Sequence, residues 1–209
     1  MQLTVIEFTH GDPIPSGNAF AQVDAVQHIA LSDNRNPGVS WSNIPEGTRS
    51  LVLICVDRDV PTKADDVNQE GREVPSDLPR CDFYHWVMVD IPPDVESIMS
   101  GTCSKGVTPH GKQNPSGPKG SRQGLNDYTQ WFNGDESMQG EYFGYDGPCP
   151  PWNDSLVHHY DFCLYATDLD TLPVNDAFTG PEVIHALEGH ILAEAKVTGT
   201  YTLNPDLLS

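Results

Sequence analysis

The chain has 209 residues, and its 30 acidic against 11 basic side chains give a formal net charge of −19. That length lets one domain bury a substantial core, and the acidity repels nucleic-acid phosphates and anionic membrane surfaces. No apolar run reaches membrane-spanning length, and Met1-Gln2-Leu3-Thr4-Val5-Ile6 lacks the basic and apolar stretches of a signal peptide. The five cysteines, at 55, 81, 103, 149 and 163, form no CxxC pair. These features predict a cytoplasmic protein without stable membrane insertion, in which the Asn153-Asp154-Ser155 sequon is coincidental.

In chain order, strands are expected at Leu3 to Phe8, Ser50 to Val56, Tyr84 to Ile91, His159 to Thr167 and Val197 to Leu203, between Gly/Pro/Asn/Asp clusters. The central runs are apolar at consecutive positions, as in strands covered on both faces. Val197, Gly199, Tyr201 and Leu203 instead alternate.

From Glu96 to Asp127 the intervening residues include no acid but do include Lys105, Lys112, Lys119 and Arg122, a basic Gly/Pro/Ser-rich loop. It reads as a flap for an anion or as a solvated insertion. Tyr128, Trp131, Phe132, Tyr142, Phe143 and Tyr145 follow; they cover a pocket, form a homodimer interface or fold onto their own core. One helix is signalled near 180–195. Thr179-Gly180-Pro181-Glu182 has capping-box spacing, and Val183, Leu187 and Ile191 recur at four-residue steps.

Acid, histidine and proline motifs sit at the ends of the apolar runs. Asp57-Arg58-Asp59-Val60-Pro61 ends one, His85-Trp86 opens another, and Gly147-Pro148-Cys149-Pro150-Pro151 precedes His158-His159-Tyr160. Buried charges are costly unless partnered, so these groups must meet each other or a ligand.

The set of motifs resembles the phosphatidylethanolamine-binding protein family, which includes the Raf kinase inhibitor proteins, and is most similar to its bacterial and archaeal branch. Asn36-Pro37-Gly38-Val39-Ser40-Trp41, Pro45-Glu46-Gly47-Thr48 and Gly189-His190-Ile191-Leu192-Ala193 extend the resemblance over nearly the whole chain. Arg58 stands where the family usually has proline, and there are long insertions at about 62–82 and 101–145. The resemblance implies a single mainly β domain over 1–209: two packed sheets with Greek-key connections and a few peripheral helices. It also implies a small anion pocket made by Asp57, His85, the Cys149-Pro150-Pro151 turn, His158 and Tyr160, with Asp59 supporting the turn. Family members bind phosphate or phospholipid headgroups, and several regulate a kinase or protease.

The residue chemistry suits that role without a cofactor. Two imidazoles, titrating near pH 6.5 when unperturbed, can donate to anion oxygens, as can the Gly147 and Cys149 N–H groups and the Tyr160 hydroxyl. Asp57 can orient His85, share a proton with a phosphate hydroxyl or pair with an ammonium group, as in phosphoethanolamine. Three other readings use the same side chains. One is a metal site drawing on Asp57, Asp59, His85, His158 and His159. Another is a hydrolase with Cys149 as nucleophile and His85 or His158 as base. The last is a structural or partner-binding module with no pocket chemistry.

Overall fold

A computed structural model describes residues 1–208. Its strands are β1 (Gln2–Val5), β2 (Ala21–Asp24), β3 (His28–Leu31), β4 (Val39–Ser42), β5 (Ser50–Pro61), β6 (Arg80–Ile91), β7 (Ser97–Ile98), β8 (Arg122–Gln123), β9 (His158–Thr167) and β10 (Ile191–Tyr201). Its two α-helices are α1 (Tyr128–Trp131) and α2 (Gly180–Ala186). A five-stranded antiparallel sheet runs β10-β9-β5-β6-β8, and a three-stranded sheet runs β1-β4-β7. The order β9-β5-β6-β8 is the Greek-key arrangement, in which a later strand returns beside the first. A β2-β3 hairpin stands apart.

The apolar runs fill both faces of the large sheet. Leu51, Leu53 and Cys55 of β5, Trp86 and Met88 of β6, and Phe162 and Leu164 of β9 meet Val5, Val39 and Trp41 of the small sheet. The intervening Val52, Ile54, Val56, Val87 and Val89 point the other way, onto Leu172, Phe178, Val183 and Leu187. Period-two alternation with both faces covered therefore produces the continuous apolar sequence. Each fully buried side chain of this kind contributes about 1.5–3 kcal/mol.

The predicted helix is shorter than its apolar spacing suggested. The Glu182 carboxylate accepts from the Thr179 N–H at 2.8 Å, closing the expected capping box. Val183 and Leu187 are buried, but Gly189, at φ 80°, reverses the chain, and Ile191 opens an edge strand where it is 43% exposed. The last strand thus begins six residues before the expected Val197 and ends at Tyr201.

The two insertions also take definite shapes. In the basic stretch, Lys112 pairs with Asp146 at 2.6 Å, and Arg122 pairs with Asp90 at 2.7 Å while capping the carbonyls of Leu172 and Val174. Two of its four cations thus bind the protein itself. Tyr128, Tyr142 and Tyr145 of the aromatic stretch are buried, with Tyr128 stacked on Phe20 at 4.6 Å. These rings form core and, at Tyr128 and Trp131, a pocket wall, so they no longer argue for a homodimer.

Candidate functional site

Strand pairing assembles the site. Asp57 of β5 lies opposite Phe83 of β6 and Tyr160 of β9; His85 comes two residues after Phe83 and His158 two residues before Tyr160, and both join Asp57 and Tyr160 at one hollow. Between Asp57 and Val60, β5 carries one residue more than β6, a β-bulge. The Asp59 N–H donates to Asp57 Oδ1 at 2.8 Å across that bulge, fixing the carboxylate at the sheet end.

A hollow of ≈ 500 Å³, its open mouth included, is lined by Asp57, His85, His158 and Tyr160 together with Cys149, Pro150 and Pro151. Its remaining walls are mostly apolar and come partly from the insertions: Val60 of β5 with Ala64, Val67 and the polar Asn68 on one side, Trp131 on another. Asn153 holds the first insertion in place. It is 5% exposed; its amide donates to the carbonyls of Asp66, Gln69 and Arg72, and its Oδ1 accepts from the Asn68 N–H. The sequon asparagine is thus an internal clasp.

His158 does not present a free ring nitrogen. Its Nδ1 donates to Asp57 Oδ2 at 2.7 Å and its Nε2 to Asp154 Oδ2 at 3.1 Å, with the ring fully buried. Asp154 in turn receives both Arg80 terminal nitrogens, at 2.6 and 3.1 Å. Burial pushes the His158 pKa down, but the Asp154 and Asp57 carboxylates outweigh it and raise it to about 9. Asp154 is held below its ordinary value, because hydrogen bonds from His158 and Arg80 overcome its own burial. The pocket floor is therefore a four-membered chain, Asp57, His158, Asp154 and Arg80, whose charges sum to zero.

This differs from the expected roles at two positions. With both nitrogens committed to carboxylates, His158 can neither donate to a ligand nor offer a lone pair to a metal. The Gly147 N–H is also spent, donating to Asn34 Oδ1 at 2.8 Å, and Gly147 lies outside the pocket lining, with the Asn18 carbonyl occupying the place a side chain would take. Asp59 also lies outside the lining, its carboxylate accepting from the His159 N–H and ring, both at 2.8 Å. Asp154 and Arg80 were missed; the i,i+4 spacing of Asp154 and His158 was the readable hint.

His85 and Tyr160 remain free to meet a ligand. His85 Nδ1 donates to the Asp146 carbonyl oxygen at 2.7 Å, which leaves Nε2 as the available nitrogen. Burial pushes the His85 pKa down, against the opposing pull of Asp57 and Asp146, which favours the neutral ring. The Tyr160 ring stands edge-on to His85 at 5.2 Å, and its fully buried hydroxyl lies beside the Asp57 carboxylate but makes no hydrogen bond of standard geometry among the described residues. Burial and the nearby Asp57 charge both raise its pKa, keeping the proton on.

The His158 arrangement predicts a pH dependence. Because its folded pKa is raised, the stabilisation is complete below the ordinary value of about 6.5 and is lost as pH rises through about 9. Unfolding free energy should fall by about 3 kcal/mol over that window. Urea midpoints measured from pH 6 to 10 check this, and a flat profile contradicts it.

Comparison with known proteins agrees with this architecture. The family model for phosphatidylethanolamine-binding protein matches residues 4–202. The chain belongs to that family. Relatives of this phosphatidylethanolamine-binding family member include a UPF0098 protein of Methanothermobacter thermautotrophicus, 34% identical over 81% of this chain and 83% of that one. A UPF0098 protein of Chlamydia muridarum is 31% identical over 96% and 98% of the two chains. Among solved structures, Escherichia coli YbcL, described as a member of the mammalian PEBP family, superposes with a TM-score of 0.68 at 26% identity, covering 96% of this chain and 97% of its own. A Chlamydia trachomatis homologue gives 0.64 at 27%, covering 96% and 95%.

Proposed function

We propose that the protein is a non-enzymatic binding protein whose pocket takes a small phosphate-like anion or a phospholipid headgroup. The observation that carries this reading is the free Nε2 of His85 in the same hollow as the buried Tyr160 hydroxyl, which makes no hydrogen bond of standard geometry. A buried hydroxyl without a partner costs about 1–3 kcal/mol, and a ligand oxygen would relieve that cost. Neutral His85 Nε2 can accept from a phosphate hydroxyl, or take up a proton and donate. Asp57 does not repel the anion as a bare carboxylate would, because its charge is compensated by His158. Its position also suits the ammonium of phosphoethanolamine.

The hydrolase alternative is disfavoured, since burial pushes the Cys149 thiol up to about 12, far from the thiolate a nucleophile requires. All five cysteines are free thiols, which suits a reducing cytoplasm. No helix among the described residues is long and apolar enough to cross a membrane. The family resemblance supports extending this proposal to a kinase or protease as the regulated partner.

Calorimetric titration with inorganic phosphate and with phosphoethanolamine tests the reading. Tyr160→Phe should weaken binding roughly tenfold or more, the value of one hydrogen bond to a charged ligand. It should not lower the unfolding midpoint and is expected to raise it, because the hydroxyl makes no hydrogen bond of standard geometry in the free protein and its burial is costly. Absence of binding by either ligand at millimolar concentration overturns the proposal.

A further inference from the structure

The Asp146 carboxylate is fully buried and takes no part in the pocket lining. It gathers three distant segments of chain: Asn34 Nδ2 and Lys112 Nζ each lie 2.6 Å from Oδ1, and Asn126 Nδ2 lies 2.9 Å from Oδ2. The backbone carbonyl of the same residue accepts from His85 Nδ1 at 2.7 Å. Asp146 therefore connects a lysine of the basic insertion to the back of the pocket histidine.

We infer that Lys112 and Asp146 act as a positioning pair for His85, fixing which ring nitrogen faces the pocket and limiting the charge that ring carries. A carbonyl oxygen can only accept, so it holds a hydrogen on Nδ1 and makes Nε2 the nitrogen that changes protonation. The titratable groups packed around the ring are Asp57 of β5, His158 and Tyr160 of β9, Tyr128 of α1 and Asp146 itself. Asp57 is compensated by His158, and Asp146 by Lys112. A buried imidazole among compensated charges stays neutral. Without the Lys112 charge, Asp146 becomes a bare anion behind the ring, supported by two neutral amides, and draws a proton onto Nε2. Lys112 thus governs the protonation of a pocket whose walls it does not touch. The inference concerns the pocket proposed above, but it is read in the ligand-free protein, so its failure and the failure of phosphate binding are separate results.

The test is NMR titration of ring-labelled histidine in ligand-free protein, with His85→Gln assigning the signal. Lys112→Met should raise the His85 midpoint by about one pH unit, and Lys112→Arg should leave it at the parent value. Asp146→Asn, which removes the anion and keeps the lysine, should lower it. In the parent, the neutral ring should carry its hydrogen on Nδ1. A neutral ring protonated on Nε2 overturns the inference, as does an unmoved His85 midpoint in folded Lys112→Met. If Lys112→Met does not fold, the parent tautomer and Asp146→Asn decide, and an unchanged or raised midpoint in Asp146→Asn overturns it.

Discussion

Replacing His158 with alanine is expected to lower the unfolding free energy by roughly 3–5 kcal/mol, the usual loss when one member of a buried ionic group is removed. The ring is fully buried between Asp57 and Asp154, and its charge is what lets both carboxylates remain ionised there. Asp57 would keep the Asp59 N–H and Asp154 would keep Arg80, but the chain would carry one more negative charge than positive in a place with little water. Urea denaturation at pH 6.5 measures the loss directly. A change below about 1 kcal/mol would mean that solvent reaches the carboxylates and that the floor is not a closed ionic chain. Any weakening of ligand affinity in this variant would come from the disrupted floor, because the ring has no hydrogen left to give a ligand.

Asp146→Ala is expected to cost a similar amount, roughly 3–5 kcal/mol. The substitution strands Lys112, whose side chain is only 13% exposed, and leaves the Asn34 and Asn126 amides short of an acceptor. Asp146→Asn keeps an acceptor oxygen and should cost less. Equal losses in the two variants, by the same denaturation measurement, would show that the carboxylate charge contributes little beyond its hydrogen bonds.

Much of the architecture was legible in the sequence, for a physical reason. Strand stretches buried on both faces hold few polar residues, each needing a partner, so Ser50 to Val56 and Tyr84 to Ile91 declare themselves by composition alone. The same rule makes Asp57, His85 and His158 conspicuous. The short strands β2, β3, β4, β7 and β8 were not legible, because two to four residues carry too little pattern and their pairing depends on distant segments. The helix overrun at Ile191 has a similar origin. Four-residue apolar spacing continues across Gly189, but the helix has already ended at Ala186 and the left-handed backbone of Gly189 turns the following residues into the sheet.

Within the site, sequence showed which side chains are unusual but not how they divide their hydrogen bonds. His85 and His158 look equivalent as residue types, yet one ring is given wholly to carboxylates and the other keeps a nitrogen for the pocket. That distinction depends on Asp154 and Arg80, which reach the ring from segments that look like ordinary polar loop.

The Asn153 clasp has a consequence for exchanging parts between relatives. The stretch from Thr62 to Pro79 is anchored by one amide that reads three of its carbonyls, so a transplanted segment of different length must offer the same three oxygens in the same places. Otherwise the neighbouring Asp154 turn loses its brace. The wall at the mouth of the hollow and the integrity of the ionic base are inherited together, through a single asparagine.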